Sequence, residues 1–296
     1  MFALRSLPFV VVFSLSVLAQ AEWPKPNWEK VNTLGCRASD KPVSITVGKY
    51  QIKLVPVPDL KTYESLCRSY LVGPTQTQHG TLVLEDWNVS VHKGTGDDLF
   101  GDGSPTLVLE GYSGGAHCCY TYEIVSLGDR PVILQPIRNE APFYIFRDSV
   151  SKQFRIMTSD GAFDSFDGMC HACAPFPRVV LRVDNDGLHD VSAQFVEQYD
   201  SEIALARAKI AQEDIAKFQI TDFKDAKGVV LEIVLSYVYS GREADAWQTL
   251  DEMWPADDRA RVKQLIMRTR AKGLLSRLST TAPRTPLLLR GAEKHL

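Results

Sequence analysis

The spacing of apolar residues changes once in this chain, near Gln194, and that change limits what each side of it can fold into. Before it, apolar residues come in short runs rich in β-branched and aromatic side chains and bounded by turn residues. Val43-Ser-Ile-Thr-Val47 and Tyr50-Gln-Ile-Lys-Leu54 alternate around a Gly48-Lys49 turn. Further runs cover Thr81 to Glu85, Val89 to His92, Thr106 to Gly111, Cys119 to Ser126, Pro131 to Gln135, Phe143 to Phe146, Phe154 to Thr158 and Arg178 to Val183. Asp184-Asn-Asp-Gly187 then turns into Leu188-His-Asp-Val191. Such runs predict β-strands. After Gln194 the spacing becomes helical over Ser201 to Phe218, Asp225 to Ser240 and Arg242 to Trp254, with Gly241 and Pro255 as stops. Asp257 or Asp258 caps a last helix reaching about Leu278. The expected fold is a mostly β N-terminal domain, residues 22–195, followed by an α-helical C-terminal region, residues 196–278. Residues 279–296 read as a flexible tail.

The first residues set the compartment. Arg5 precedes the apolar run Leu7 to Leu18, and Ala19-Gln20-Ala21 places small residues where a signal peptidase reads them. This is the order of a cleavable signal peptide over residues 1–21, with a core too short to span a bilayer. The mature chain is expected to begin at Glu22 and to be periplasmic or secreted. An apolar fraction of 45% and a charged fraction of 23% are those of an ordinary globular protein. Charge is uneven, with ten Lys/Arg against the single acid Glu293 from Arg259 onward.

Two stretches repeat the same order of parts. In one, the Gly101-Asp-Gly103 turn leads to the run from Thr106, a small-residue loop from Ser113 to Ala116, cysteines, the run from Tyr120 and a Gly128-Asp129 turn. In the other, the run from Phe154 leads to the loop Asp160 to Gly168, Cys170 and Cys173, the run from Arg178 and the Asp186-Gly187 turn. Two related sheet units of about 50 residues follow from that order, a length that suits propeller blades.

Asp98-Leu-Phe-Gly-Asp-Gly-Ser-Pro-Thr-Leu107 resembles the Asp-x-Asn-x-Asp-Gly-x-x-Asp-Leu segment of FG-GAP (integrin-type) propeller repeats, departing at Phe100 and Thr106. With Tyr112-Ser-Gly-Gly-Ala-His-Cys-Cys119 it also resembles exported bacterial proteins of uncharacterised function. The resemblance implies propeller-blade-like antiparallel sheets. The helical pair carrying Tyr237, Gly241, Ala246 and Leu250 resembles one tetratricopeptide unit, with departures at Met253 and Asp258.

A calcium loop needs several oxygen ligands around a sharp glycine bend. Asp98, Asp102 and Thr106 around Gly103 form the candidate calcium set, against the competing reading of a polar turn before a strand. Six cysteines in an exported chain are an even set in a disulfide-permissive compartment. Cys36 is expected to pair with Cys67, and Cys118 and Cys119 with Cys170 and Cys173, stapling the two units. The alternative is a zinc or copper centre built from His117, Cys118, Cys119, Cys170, His171 and Cys173, or thiol redox chemistry at the same loops. Ala174 stands where covalent haem attachment requires histidine.

Asp160, Asp164 and Asp167 beside His171 offer carboxylates for a hydrolase, or a solvated loop pinned by Phe163 and Phe166. No catalytic residue is assigned from this spacing, and no Walker loop, Gly-x-Ser-x-Gly elbow or His-Glu-x-x-His motif is present. The basic residues Arg259, Arg261, Lys263, Arg268, Arg270, Lys272 and Arg277 suit an anionic surface or an intramolecular acidic partner. Nucleic acid is not an expected partner, since no stacking platform is legible. The leading expectation is a non-catalytic binding or scaffold protein of the cell envelope, steadied by calcium, with an unidentified protein or envelope component as partner. Metal handling or thiol redox comes second and hydrolysis third.

Overall fold

The computed structural model describes residues 21–24, 35–36, 41–58, 65–74, 80–114, 119–134, 136–184, 187–210, 226–279 and 285–287. All but the last residue of the expected signal lies outside these, as do His117 and Cys118. The described strands are antiparallel up to about residue 190, and helices follow, as the change of spacing requires.

Strand β1 (Gly35–Cys36) lies at one edge of a central sheet. The first outer sheet is a meander of β2 (Val43–Val47), β3 (Tyr50–Pro58), β4 (Ser65–Val72) and β5 (Thr81–Asp86). The central sheet runs in the order β1, β6 (Asn88–Val91), β7 (Thr106–Tyr112), β8 (Tyr120–Ser126), β9 (Val132–Ile133), with β10 (Ile137–Asn139) also paired to β8. A second meander holds β11 (Tyr144–Arg147), β12 (Phe154–Ser159), β13 (Arg178–Asp184) and β14 (Gly187–Asp190). The two stretches that share an order of parts are thus hairpins of different sheets, β7–β8 and β12–β13.

The central sheet is buried on both faces. Leu107 and Leu109 pack with Ile52, Leu54, Leu71 and Val125 in one core. Their neighbour Val108 packs with Tyr122 and Ile124 in the other. Successive side chains of a strand point to opposite faces, so a run apolar at every position is what a sheet covered twice demands. Strand β4 shows no clear apolar alternation in the sequence, because Ser69 takes an inward place between Cys67 and Leu71. The Ser69 hydroxyl accepts from Leu84 N at 2.9 Å, which satisfies it inside the core.

The helices are α1 (Val196–Ile210), α2 (Ala226–Tyr239), α3 (Glu243–Met253), α4 (Arg259–Arg270) and α5 (Leu274–Ser279). Their buried faces join the core that holds Val108, Ile156 and Val180, so the β and helical regions share one interior. Two expectations are corrected. The last helix does not run unbroken to Leu278: it stops at Arg270, and α5 begins at Leu274. Asp258 does stand at the N-cap of α4, but its side chain makes no cap hydrogen bond: it accepts from Trp254 Nε1 at 2.9 Å and binds Arg261 instead.

The tail also departs from expectation at residues 285–287. Strand β15 (Thr285–Pro286) adds to the central sheet beside β9, and Leu287 N donates to Pro131 O at 2.9 Å. Leu287 packs on the core between the first two sheets, which gives this segment apolar contact to hold it. No helix among the described residues is long and apolar enough to cross a membrane.

Candidate functional site

The long connection between β12 and β13, residues 160–177, carries the acids, His171 and two of the cysteines. It opens with a 3-10 turn at Gly161–Phe163 whose first N–H groups need a cap, and the Asp160 carboxylate accepts from Ala162 N at 3.1 Å. Phe163 and Phe166 anchor it in the core, as expected of a pinned loop. The acids, however, are not solvated. Asp160 is fully buried and accepts from Tyr239 Oη at 2.8 Å and from Leu274 N at 2.9 Å, tying the loop to α2 and α5. Burial, with the Asp160 charge beside it, pushes the Tyr239 phenol far above its ordinary value. Asp167 binds Lys227 Nζ at 2.7 Å and Arg261 Nη1 at 2.6 Å. Those hydrogen bonds hold the Asp167 carboxyl below the usual carboxylate range, against the opposing effect of its burial.

Asp164 accepts from or pairs with His171 Nδ1 at 2.9 Å. Of the three acids only Asp164 meets the histidine, so the sequence's acid cluster divides into one histidine partner and two clamps on the helices. The predicted basic face divides likewise. Arg261 and Arg277 reach back to the β region at Asp167 and Arg138 O, while Lys263 lies over the Trp247 ring at 4.5 Å. Arg261 thus meets an acid of the β region, while Arg277 donates to a backbone carbonyl.

The cysteines form other pairs than expected at the second loop. Cys36 and Cys67 are bonded at 2.06 Å, joining β1 to β4 and so the central sheet to the first meander, as expected. Cys170 is bonded to Cys173 at 2.12 Å, so neither reaches Cys119, and the proposed staple between the two units is absent. The turn His171–Cys173 brings their Cα atoms to 5.1 Å, a separation that suits a local bridge. Cys119 is disulfide-bonded as well. With these sulfurs oxidised, Cys119, Cys170 and Cys173 supply no thiolate for the zinc or copper set expected with His171.

The Asp98 loop is organised by its own backbone. Asp98 accepts from Asp102 N at 3.1 Å and Gly103 N at 2.9 Å, and Asp102 accepts from Ser104 N at 2.9 Å. Thr106 is buried, and its hydroxyl accepts from Leu99 N at 3.2 Å. Gly101 and Gly103 take positive φ, 68° and 81°, which is why glycine stands at both places. Among the described residues no group of three or more His, Cys, Asp or Glu is gathered to hold a metal ion.

A cleft of about 480 Å³ opens where the end of the 160–177 connection meets α1 and α2. Pro175, Phe176, Pro177, Val229 and Leu235 give it apolar walls, and Arg178, Glu202, Lys209 and Glu232 converge on it. Arg178 Nε donates to Glu202 Oε1 at 3.0 Å and its guanidinium lies 5.4 Å from the Trp23 ring. Burial raises the Glu232 carboxyl above its ordinary value, opposed by Lys209. Sequence spacing missed this cleft because its residues come from three elements separated along the chain. No family model, no curated protein and no solved structure matches this chain.

One further carboxyl is unusual. Glu123 on β8 is only 6% exposed, and its Oε2 has no hydrogen-bond partner among the described residues. Burial pushes it up to about 8, with Arg138 pulling the other way. It sits in the strand TYEIVS as the lone charge of an apolar run, which was the available signal.

Proposed function

We propose that this protein is an exported, non-catalytic binding protein of the cell envelope, and that the cleft beneath Pro175–Pro177 is its ligand seat. The observation that carries the reading is the cleft's make-up: apolar walls with two cations and two carboxylates converging on one space of about 480 Å³. That size lies within the range of small-ligand pockets. The acids of the 160–177 connection support it from the other side. Asp160 and Asp167 are committed to Tyr239, Lys227 and Arg261, which leaves them as braces for the cleft wall rather than reacting groups.

Balanced charge around an apolar wall matches a ligand with both a cationic and an anionic end. Short peptides with free termini and apolar side chains have that chemistry. The test is isothermal titration of the mature protein with a set of such peptides and with the same peptides blocked at both ends. Saturable binding that blocking, Lys209→Met or Glu232→Gln each weakens about tenfold, on the order of 1.4 kcal/mol, supports the reading. Heats that do not saturate for any free peptide would sink it.

A further inference from the structure

We infer that the Cys170–Cys173 bond is a thiol-exchange site that oxidises a polypeptide dithiol docked at the cleft, an activity beyond the binding role. Two disulfides of this chain sit in opposite surroundings. Cys36 and Cys67 are 1% and 0% exposed and tie two sheets together across 31 residues of sequence. Cys170 and Cys173 are three residues apart within one connection. A cross-link restricts the unfolded chain more the longer the loop it closes, so this second bond has little stapling to do.

Its two sulfurs also differ from each other. Cys170 is exposed, immediately before the 3-10 turn of residues 171–173, while Cys173 is half-buried and packs against the large core. Exchange begins when a thiolate reaches one disulfide sulfur, and accessibility selects which one. Here it selects Cys170. Cys173 and its neighbours Ala172 and Ala174 line the cleft, so a chain lying there is within reach of the bond. The partner is thus a reduced polypeptide with two thiols, held through a neighbouring segment in the cleft.

The exchange balances within that pair. A thiolate of the partner attacks Cys170 Sγ, forming the mixed disulfide as the Cys170–Cys173 bond breaks, and Cys173 Sγ leaves and takes up the proton the attacking thiol lost. The partner's second thiolate then attacks its own sulfur in the mixed disulfide, and Cys170 departs as a thiol. The partner is oxidised to a disulfide and this chain is reduced to a dithiol.

The first readout needs no variant. The native protein is held in a series of glutathione buffers, alkylated and mapped by peptide mass. Cys170 and Cys173 are expected to become alkylated under conditions that leave Cys36 and Cys67 bonded. The second readout is oxidation of a reduced synthetic peptide with two cysteines, followed by mass. One equivalent of wild type is expected to oxidise about one equivalent of peptide. The Cys170→Ser/Cys173→Ser double variant, which keeps the bonds at Cys36 and Cys119, is expected to oxidise much less. Opening of all bonds together in the first experiment overturns the proposal. So does peptide oxidation no greater than that of the double variant.

Discussion

The carboxylate of Asp160, at the end of β12, accepts a 2.8 Å hydrogen bond from the hydroxyl of Tyr239, at the end of α2, with both groups buried. The same Oδ2 accepts from Leu274 N, the first residue of α5. One side chain thus joins the second meander to two helices. A buried carboxylate that loses a donor keeps its desolvation cost, so Tyr239→Phe is expected to lower stability by about 1–3 kcal/mol. Urea midpoints of the variant and wild type measure it, and an unchanged midpoint would contradict the account.

Gly273 lies against that carboxylate. A Cβ added there would come within 2.2 Å of Asp160 Oδ2. Gly273→Ala is therefore expected to push Asp160 off Leu274 N and cost about 1–3 kcal/mol. Thermal unfolding of the variant alone and combined with Tyr239→Phe should show less than additive losses, because both act on one group.

Lys227 is nearly fully buried and its charge is met by Asp167, which also binds Arg261. Removing the acid strands the lysine, so Asp167→Asn is expected to cost about 3–5 kcal/mol, and Lys227→Met in the same chain to recover much of it. The pH dependence follows from the lowered value of Asp167. The unfolded state binds the proton more readily than the folded state, so this contribution is present above the ordinary carboxylate range. It is lost as pH falls through the folded value. Urea unfolding in steps from neutral to acid pH should show wild type losing more stability than the double variant.

Glu123 acts with the opposite sign. Its folded value of about 8 lies above the ordinary 4.5, so the unfolded state releases the proton first as pH rises. Stability should fall from about pH 4.5 to about pH 8 on account of this residue. Glu123→Gln is expected to flatten that slope and to be the more stable protein at the alkaline end. Melting temperatures of both proteins across the window test this, and parallel curves would count against a buried neutral carboxyl.

Cys36–Cys67 holds β1 against β4 across the two sheets. Replacing both cysteines with alanine is expected to cost about 2–4 kcal/mol by freeing the unfolded chain. Guanidinium midpoints measure the loss.

The division of this protein into strands and then helices was legible without coordinates, because a period of two and a period near 3.6 are written in single runs of neighbouring residues. The Cys36–Cys67 pair and a strand over Thr106 to Gly111 were legible in the same way, while the burial of that strand on both faces came from the packing of two sheets and the helices around it. What the sequence left open were relations between residues far apart in the chain. Asp160, Asp164 and Asp167 stand within eight positions, yet one meets Tyr239, one His171 and one Lys227 and Arg261. Local spacing says nothing about which helix will pack over a loop, so the cluster read first as a solvated loop and only then as a reacting set. Cys170 and Cys173 closed on each other because a 3-10 turn brought them together, where a strand would have separated them. The cleft was decided by tertiary structure alone: it exists only where α1 and α2 pack beside the 160–177 connection, and no single segment carries its charge pattern.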